Sequence, residues 1–379
     1  MKLLKLLKLL KLFNPLNLLN LLKLFPLSLH ATRYALYAVL LLLAGCASPM
    51  PFDFSKLVWP LPPEEPRFRY VSIWLNEDSF TGTGPTWVEK FFGEETKKEG
   101  LVQPHGVVAD RNGNIYVADT FGKGVVVFDM EKRRIRHIGF TSGALSKAIG
   151  VAIDAEREEL WASDMAGNVY KYNKKGEVLL ALGRGQKGQL KNPTGLAFDR
   201  KNNRLFIVDT KQHKIFVFNR DGNPIASFGK PGKGDGELAY PVALAVDDDG
   251  RIYVSDSGNF RVQIFDSDFR FLKKFGVIGT AYGELGHPKG IAVDSEKNIY
   301  VVDAAANAIK IFNNEGQLLL VLGDTGIEPG QFWLPVCIYM DEEDRLYTTE
   351  TLNRRVQVFQ YMSEKYKKKQ AEQPAQPKK

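Results

Sequence analysis

From residue 103 to residue 362 the chain repeats one pattern of apolar and polar positions. A copy begins with a short apolar run closed by an acid, as in Pro104-His-Gly-Val-Val-Ala-Asp110 or Pro241-Val-Ala-Leu-Ala-Val-Asp247. A second run follows, of the type Asn112-Gly-Asn-Ile-Tyr-Val-Ala-Asp119 or Ile252-Tyr-Val-Ser-Asp256, and it also ends in an acid. A third run is of the type Arg261-Val-Gln-Ile-Phe265, and a fourth ends in Phe-Gly, as at Phe228-Gly229 and Phe275-Gly276. The acids closing the second run fall at 119, 164, 209, 256, 303 and 350, a repeat of 45 to 47 residues. Short runs rich in β-branched and aromatic side chains, bounded by turn residues, predict strands. Asn112-Gly113 and Asp249-Gly250 supply tight hairpin turns between first and second strands, where Gly takes the positive φ. Four strands per repeat make one propeller blade. Six repeats therefore predict an all-β, six-bladed β-propeller of four-stranded antiparallel blades.

The ends of the repeat array predict how the ring closes. The sixth copy holds three strands, ending at Phe359, and then runs into a lysine-rich tail. Ahead of the first copy, Arg67 to Trp74 is a spare β-rich run. It is expected to supply the outer strand of blade 6, sealing the ring and removing an exposed edge. Thr86 to Glu95 is expected to form a short helix over this junction.

The repeat resembles the NHL repeat, whose pattern runs Pro-x-Gly-(Val/Ile)-Ala-Val-Asp, then Gly-Asn-Ile-Tyr-Val-Ala-Asp, then Asn-x-Arg-Val-Gln-Val-Phe. The match covers residues 103–362 and is most specific in blades 1, 4 and 5. In blade 6 it is clearest at Asn353-Arg-Arg-Val-Gln-Val-Phe359, while blade 2 departs most, lacking the Pro. The resemblance implies a six-bladed propeller of the kind that serves as a protein-interaction platform.

The two ends also decide how the charge is read. The net charge of +7 comes from residues 1–45, which contribute +6, and residues 363–379, which contribute +4; the remainder sums to −3. A nucleic-acid footprint belongs on the folded body, so no nucleic-acid partner is expected. Arg33, the apolar run Tyr34 to Leu43 and the small residues Ala44-Gly45 describe a secretory signal spanning residues 1–45. With Cys46 directly after them, the segment resembles the lipobox of bacterial lipoproteins. That resemblance implies lipidation of Cys46 and an anchored chain; Ala47 after the Cys resembles the outer-membrane-sorted class. Two or three acyl chains anchor stably where one does not. Residues 46–66, with six prolines, are expected to act as a semi-rigid spacer, residues 67–362 to form the propeller, and the basic tail 363–379 to be disordered.

Candidate chemistry is sparse. Gly183-Arg-Gly185-Gln-Lys-Gly188 matches a dinucleotide fingerprint, but a strand rather than a helix follows, so an inter-blade loop is expected. Asp247-Asp-Asp-Gly250 lacks the twelfth-position Glu of a calcium loop and reads as a hairpin turn. The acids closing the first and second runs recur in every blade. A catalytic site is a single asymmetric constellation, so these acids are expected to bond loop N–H groups, with Asp256–Arg261 and Glu350–Arg355 pairing across the turn. Cys337 replaces an apolar residue of an inner strand and reads as core.

Function is expected where the repeat symmetry breaks. After the Pro, at the channel mouth, stand His105, Thr194, Val242, Lys289 and Val336. The amidating lyase that cleaves modified peptidylglycines is similar in architecture and holds zinc through histidines of several blades. Here His105 and His287 lie near the mouth, whereas His137 and His213 do not, so a three-histidine zinc site is not expected. Tyr240, Tyr282 and Trp333 lie in or beside inter-blade loops and are candidate interface anchors. The expectation is a monomeric, non-catalytic, membrane-anchored propeller in the bacterial envelope, at the outer membrane, docking a protein partner and needing no cofactor. The alternatives are a calcium- or zinc-dependent hydrolase or lyase using the channel, and a ligand-sensing module.

Overall fold

The computed structural model describes residues 56–81, 99–140, 145–183 and 190–372. Cys46, the signal, the segment Thr86 to Glu95 and most of the Gly183 loop lie outside the described residues. Among the described residues the strands form six antiparallel sheets. Blades 1 to 5 occupy residues 104–138, 148–183, 193–228, 243–275 and 288–322, each with four strands in sequence order. The inner strand of every blade packs beside the inner strand of the next, and that of blade 6 (335–340) returns to that of blade 1.

Blade 6 is closed by the N-terminal segment. Phe68–Trp74 pairs antiparallel with the third strand Arg355–Tyr361, from Phe68 opposite Tyr361 to Trp74 opposite Val356. The expected ring closure is therefore present, and one feature of it was not expected. Val58–Trp59 adds a fifth strand outside Phe68–Trp74, so part of the stretch assigned as spacer belongs to the propeller. Trp59 packs edge-on against Phe359 at 5.5 Å, and Phe68 lies 5.1 Å from Tyr361. These apolar contacts hold the extra strand despite its flanking prolines.

The hydrophobic residues gather into one cluster per blade junction. Tyr300, Phe332 and Ile338 lie between blades 5 and 6, for example, and Phe206, Leu238 and Val254 between blades 3 and 4. Both faces of a blade are covered by its neighbours. Second strands such as Ile115–Asp119 are consequently buried at every position, while the outer strand Phe271–Phe275 alternates. The inner strands approach so closely that a Cβ on Gly150 would lie 2.0 Å from the Thr194 carbonyl oxygen, and one on Gly106 2.5 Å from that of Ile149. This explains the Gly of the repeat better than any turn does.

The repeated acids are structural, as their recurrence suggests. At the end of the inner strand, the Asp110 carboxylate accepts from the backbone N–H groups of Asn112 and Asn114 and from the Tyr116 hydroxyl. Asp247 and Asp341 repeat this arrangement, and Asp247 to Gly250 forms the hairpin turn. At the end of the second strand, Asp119 accepts from Val102 and Gln103, and Asp303 from Gly286 and His287, clamping the incoming inter-blade loop. Arg261 reaches Asp256 at 2.8 Å and Arg355 reaches Glu350 at 2.6 Å, both buried.

The tail departs from expectation. Glu364–Glu372 is an α-helix, while residues 373–379 lie outside the described residues. The Ser363 hydroxyl accepts from the Tyr366 N–H at its start, and Glu364 sits in the first turn, both favourable to the exposed N–H groups there. The Tyr366 hydroxyl accepts from Arg69, and Ser363 donates to buried Asp344, tying the helix to blade 6. Among the described residues no helix is long and apolar enough to cross a membrane.

Candidate functional site: the central channel and its apolar rim

The inner strands enclose a channel of about 460 Å³, within the usual size range of ligand sites. All five residues expected at its mouth line it: His105, Thr194, Val242, Lys289 and Val336. Ile149 of blade 2, whose repeat lacks the Pro, completes the ring. Below this ring the wall is mainly backbone and small apolar side chains. Cys337 lines it as well, its thiol pushed up to about 11 by burial, in keeping with a core position rather than a nucleophile.

The two ends of the channel differ. At the mouth, Lys289 is half-buried, and the loss of solvent lowers its ammonium pKa. His105 is held down to about 4, first by burial and then by the Lys289 charge. Lys289 has no carboxylate or hydrogen-bonding partner among the described residues. Thr194 and Thr210 lie 2.8 Å apart, and their two hydroxyl protons are shared among that contact and the Val242 and Pro241 carbonyls, so both are engaged.

At the far end, Arg200 of blade 3 crosses the channel to blade 6 on the opposite side. It donates to the Tyr339 hydroxyl at 3.0 Å and pairs with Glu342. Arg111 of blade 1 reaches the same Glu342 at 3.2 Å, and Lys365 of the C-terminal helix donates to its carbonyl. This lattice forms a floor. Sequence reasoning missed it although a signal was present. Tyr339 stands where the other blades place Val108, Ala152, Ala197, Ala245 and Ala292, and a lone aromatic among small residues marks a broken symmetry.

A second asymmetry surrounds the mouth. Inner strands start and second strands end on this face, so the inter-blade loops and the second-to-third turns lie here. These loops carry exposed Phe121, Ile278, Ile327 and the three expected aromatics, Tyr240, Tyr282 and Trp333, which are 58%, 88% and 47% exposed. Val102, Met165, Leu334 and Leu352 lie on this face too, just before inner strands or in second-to-third turns. The remaining exposed large apolar side chains sit on or beside the outermost strands or, as Leu61, between the two N-terminal strands. Among the described hairpin loops of the opposite face, Leu61 is the one exposed large apolar side chain. The loops entering blades 4, 5 and 6 are built alike, bridged Pro231–Leu238, Ile278–Leu285 and Thr325–Phe332, with Leu238, Leu285 and Phe332 fully buried as anchors. The rim is thus held by packing on both sides of each loop.

The histidines divide as expected. His137 lies in the outer strand of blade 1 and pairs with Glu99 at 3.0 Å, and His213 sits in a turn where its ring accepts from the Tyr240 N–H. Among the described residues no group of three or more His, Cys, Asp or Glu is arranged to hold a metal ion. The acids bordering the channel floor are largely engaged with protein donors, such as Asp199 with Arg204 and Asp341 with Arg345.

Comparison with known proteins agrees with this geometry. The NHL repeat model matches residues 101–128 and 238–265, in blades 1 and 4, and a model described as a 6-bladed beta-propeller matches residues 197–249. The brain tumor protein of Drosophila melanogaster is 37% identical over 59 residues, 16% of this chain and 6% of that protein. The E3 ubiquitin-protein ligase NHLRC1 of Rattus norvegicus is 34% identical over 62 residues, 16% of each chain. The chain therefore spans only a small part of these curated relatives. An auxiliary nutrient binding protein from Bacteroides thetaiotaomicron superposes with a TM-score of 0.54 at 14% identity, covering 70% of each chain. A streptogramin B lyase superposes with a TM-score of 0.51 at 11% identity, covering 70% of this chain and 84% of that one. At such identities these structures share the fold alone. The chain is a six-bladed β-propeller carrying NHL repeats.

Proposed function

We propose that this propeller is a non-catalytic docking module that binds a protein partner on the face surrounding the channel mouth. The observation that carries the reading is the concentration of exposed aromatic and aliphatic side chains in the loops of that face, against Leu61 alone in the described hairpin loops of the other. Aromatic anchors on a rigid scaffold are the usual centre of a protein interface. The same reading places the chain, as a monomer, in the bacterial cell envelope at the outer membrane, anchored through a lipidated Cys46. Its support there is the run Leu43-Ala44-Gly45-Cys46 behind a charged and apolar leader.

A photo-crosslinking side chain at Tyr282, compared with one at Lys132 in a hairpin loop of the other face, tests the docking. Discrete adducts in intact cells from position 282, lost when Tyr240 and Trp333 become Ala, are expected. Adducts from both faces alike, or from neither, would remove the support for docking. Labelling with an alkynyl fatty acid tests the anchor: the wild-type chain takes up label and Cys46→Ser does not.

A further inference from the structure

We infer that the channel is a carboxylate-binding cup, open on the apolar face and closed at the other end, in which Lys289 receives the anion. The inference stands apart from the docking reading, since a small acid is bound without any protein partner. Three observations carry it. The floor bridges the far end, because Arg200 of blade 3 meets Tyr339 and Glu342 reaching in from blade 6, and Arg111 of blade 1 joins them at Glu342. A molecule therefore enters past the aromatic rim. The mouth and the wall below it are lined by groups such as Ile149, Val336, Val107 and Ala243, which suit an apolar body and not a polyanion. Lys289 stands at the top of this wall, half-buried and with no acid or hydrogen-bond acceptor among the described residues, in a fold whose described buried lysines are paired: Lys310 with Asp303 at 2.9 Å, and Lys171 with Glu159 at 2.5 Å.

A half-buried ammonium without a counter-ion is costly, and evolution of a docking face does not require it. The cost is removed when an anion enters. The remaining titratable groups near Lys289 add to the case. His105 and His287 both have their proton affinity lowered, with Lys289 among the causes, so this end of the cup favours negative charge. A single ammonium is a point charge matched to a monoanion. The ligand class is a monocarboxylate with a short apolar body, free or as the acidic side chain of a docked partner.

The test uses the full chain in a non-ionic detergent, with butyrate as probe and butyramide as its neutral control. Binding is read from the His105 imidazole resonances during titration. Butyrate is expected to shift them saturably and to raise the pH at which His105 titrates, whereas butyramide does neither. Lys289→Met should abolish the butyrate effect and raise the His105 titration on its own, while Lys289→Arg retains binding. A melting curve of each variant shows that the ring is intact. A short peptide with one Glu side chain and blocked ends then assigns the source. Displacement of butyrate by the peptide supports a partner side chain as ligand, and binding of butyrate alone supports a free acid. Butyramide binding as well as butyrate, no saturable shift, or unchanged binding in folded Lys289→Met would overturn the inference. Because this assay contains no partner protein, its failure leaves the crosslinking result for the docking face unaffected.

Discussion

Arg355→Met should destabilise the propeller by an amount far above that of an ordinary surface charge. Arg355 and Glu350 are 4% and 0% exposed, and the guanidinium serves more than the carboxylate. Its nitrogens also donate to the carbonyl oxygens of Ile327, Glu328 and Gln331, the loop that leads into blade 6. Glu350 in turn accepts from the Trp333 N–H and from Gln357. Removing the Arg leaves a fully buried carboxylate without its cation and the Ile327 carbonyl without its donor, while the Glu328 and Gln331 carbonyls keep the Gln331 N–H and the Gln357 amide. Breaking a buried pair in this way costs about 3–5 kcal/mol. The charge-free double variant Glu350→Gln/Arg355→Met keeps an acceptor for the Trp333 N–H and removes the orphaned charge. It should therefore be more stable than Arg355→Met alone, with a coupling of roughly 0.5–3 kcal/mol. Urea unfolding followed by tryptophan fluorescence measures both, since Trp161 is fully buried and reports the ring. Arg111→Met is the control: its pair with Glu342 is 58% and 45% exposed, and such a pair is worth about 0–1 kcal/mol. If Arg355→Met matched Arg111→Met, or the double variant showed no coupling, the clamp reading of the second-strand acids would be refuted.

The other predictions test closure, strand approach and titration. Phe68→Ala removes a buried ring at the blade 5–6 junction, beside Tyr300 and Tyr361, and should cost about 3–5 kcal/mol by the same urea assay, with no cost if the N-terminal strand is dispensable. Gly150→Ala places a methyl group 2.0 Å from the Thr194 oxygen and should cost about 1–3 kcal/mol, whereas Gly113→Ala meets nothing closer than 4.0 Å and acts only through its φ of +81°. Burial raises the Asp294 carboxyl to about 6, so its contribution to stability is complete below the unfolded value of 3.8 and is lost as pH rises through 6. Burial depresses His105 to about 4, so its contribution is present above 6.5 and lost as pH falls through 4. The two oppose each other over one window. Asp294→Asn should steepen the loss of stability from pH 7 to pH 4 by on the order of 3 kcal/mol, and His105→Gln should flatten it; parallel curves for both variants and wild type would refute the assignment.

The sequence made the ring legible because a blade is a local unit. Its strands are contiguous, its turns carry Asn-Gly or Asp-Gly, and its apolar runs recur at a fixed interval, so periodicity alone gives the architecture. Even the N-terminal closure could be counted, since blade 6 lacked a strand and one spare run preceded blade 1. What counting missed depends on contacts between distant segments. Val58–Trp59 is two residues among prolines and becomes a strand only because Phe68–Trp74 lies beside it and Phe359 receives the Trp59 ring. The helix Glu364–Glu372 was hidden by its lysines. Composition suggests a solvated tail, while the Ser363 cap and the ties to Asp344 and Arg69 decide otherwise. Five of the six mouth residues were found because the Pro of the inner strand marks their place, and Ile149 was not, because blade 2 lacks that Pro.

The floor and the unpaired lysine follow from one principle that the repeats make visible. Six copies of a blade give a channel whose wall is the same at every step, and such a wall can only be a hole. It becomes a cup with a direction when one copy departs at one level. Blade 6 departs at Tyr339 and Glu342, blade 3 answers from the opposite side with Arg200, and the hairpin end closes. Blade 5 departs at the other level with Lys289, where the neighbouring copies place Val242 and Val336. Arg200, Glu342 and Lys289 stand outside the junction clusters that, with the acids and the glycines, hold the blades, while Tyr339 also packs against the clusters beside blade 1. Side chains that the scaffold does not need, placed at opposite ends of one cavity, are the part of the molecule free to specify a ligand.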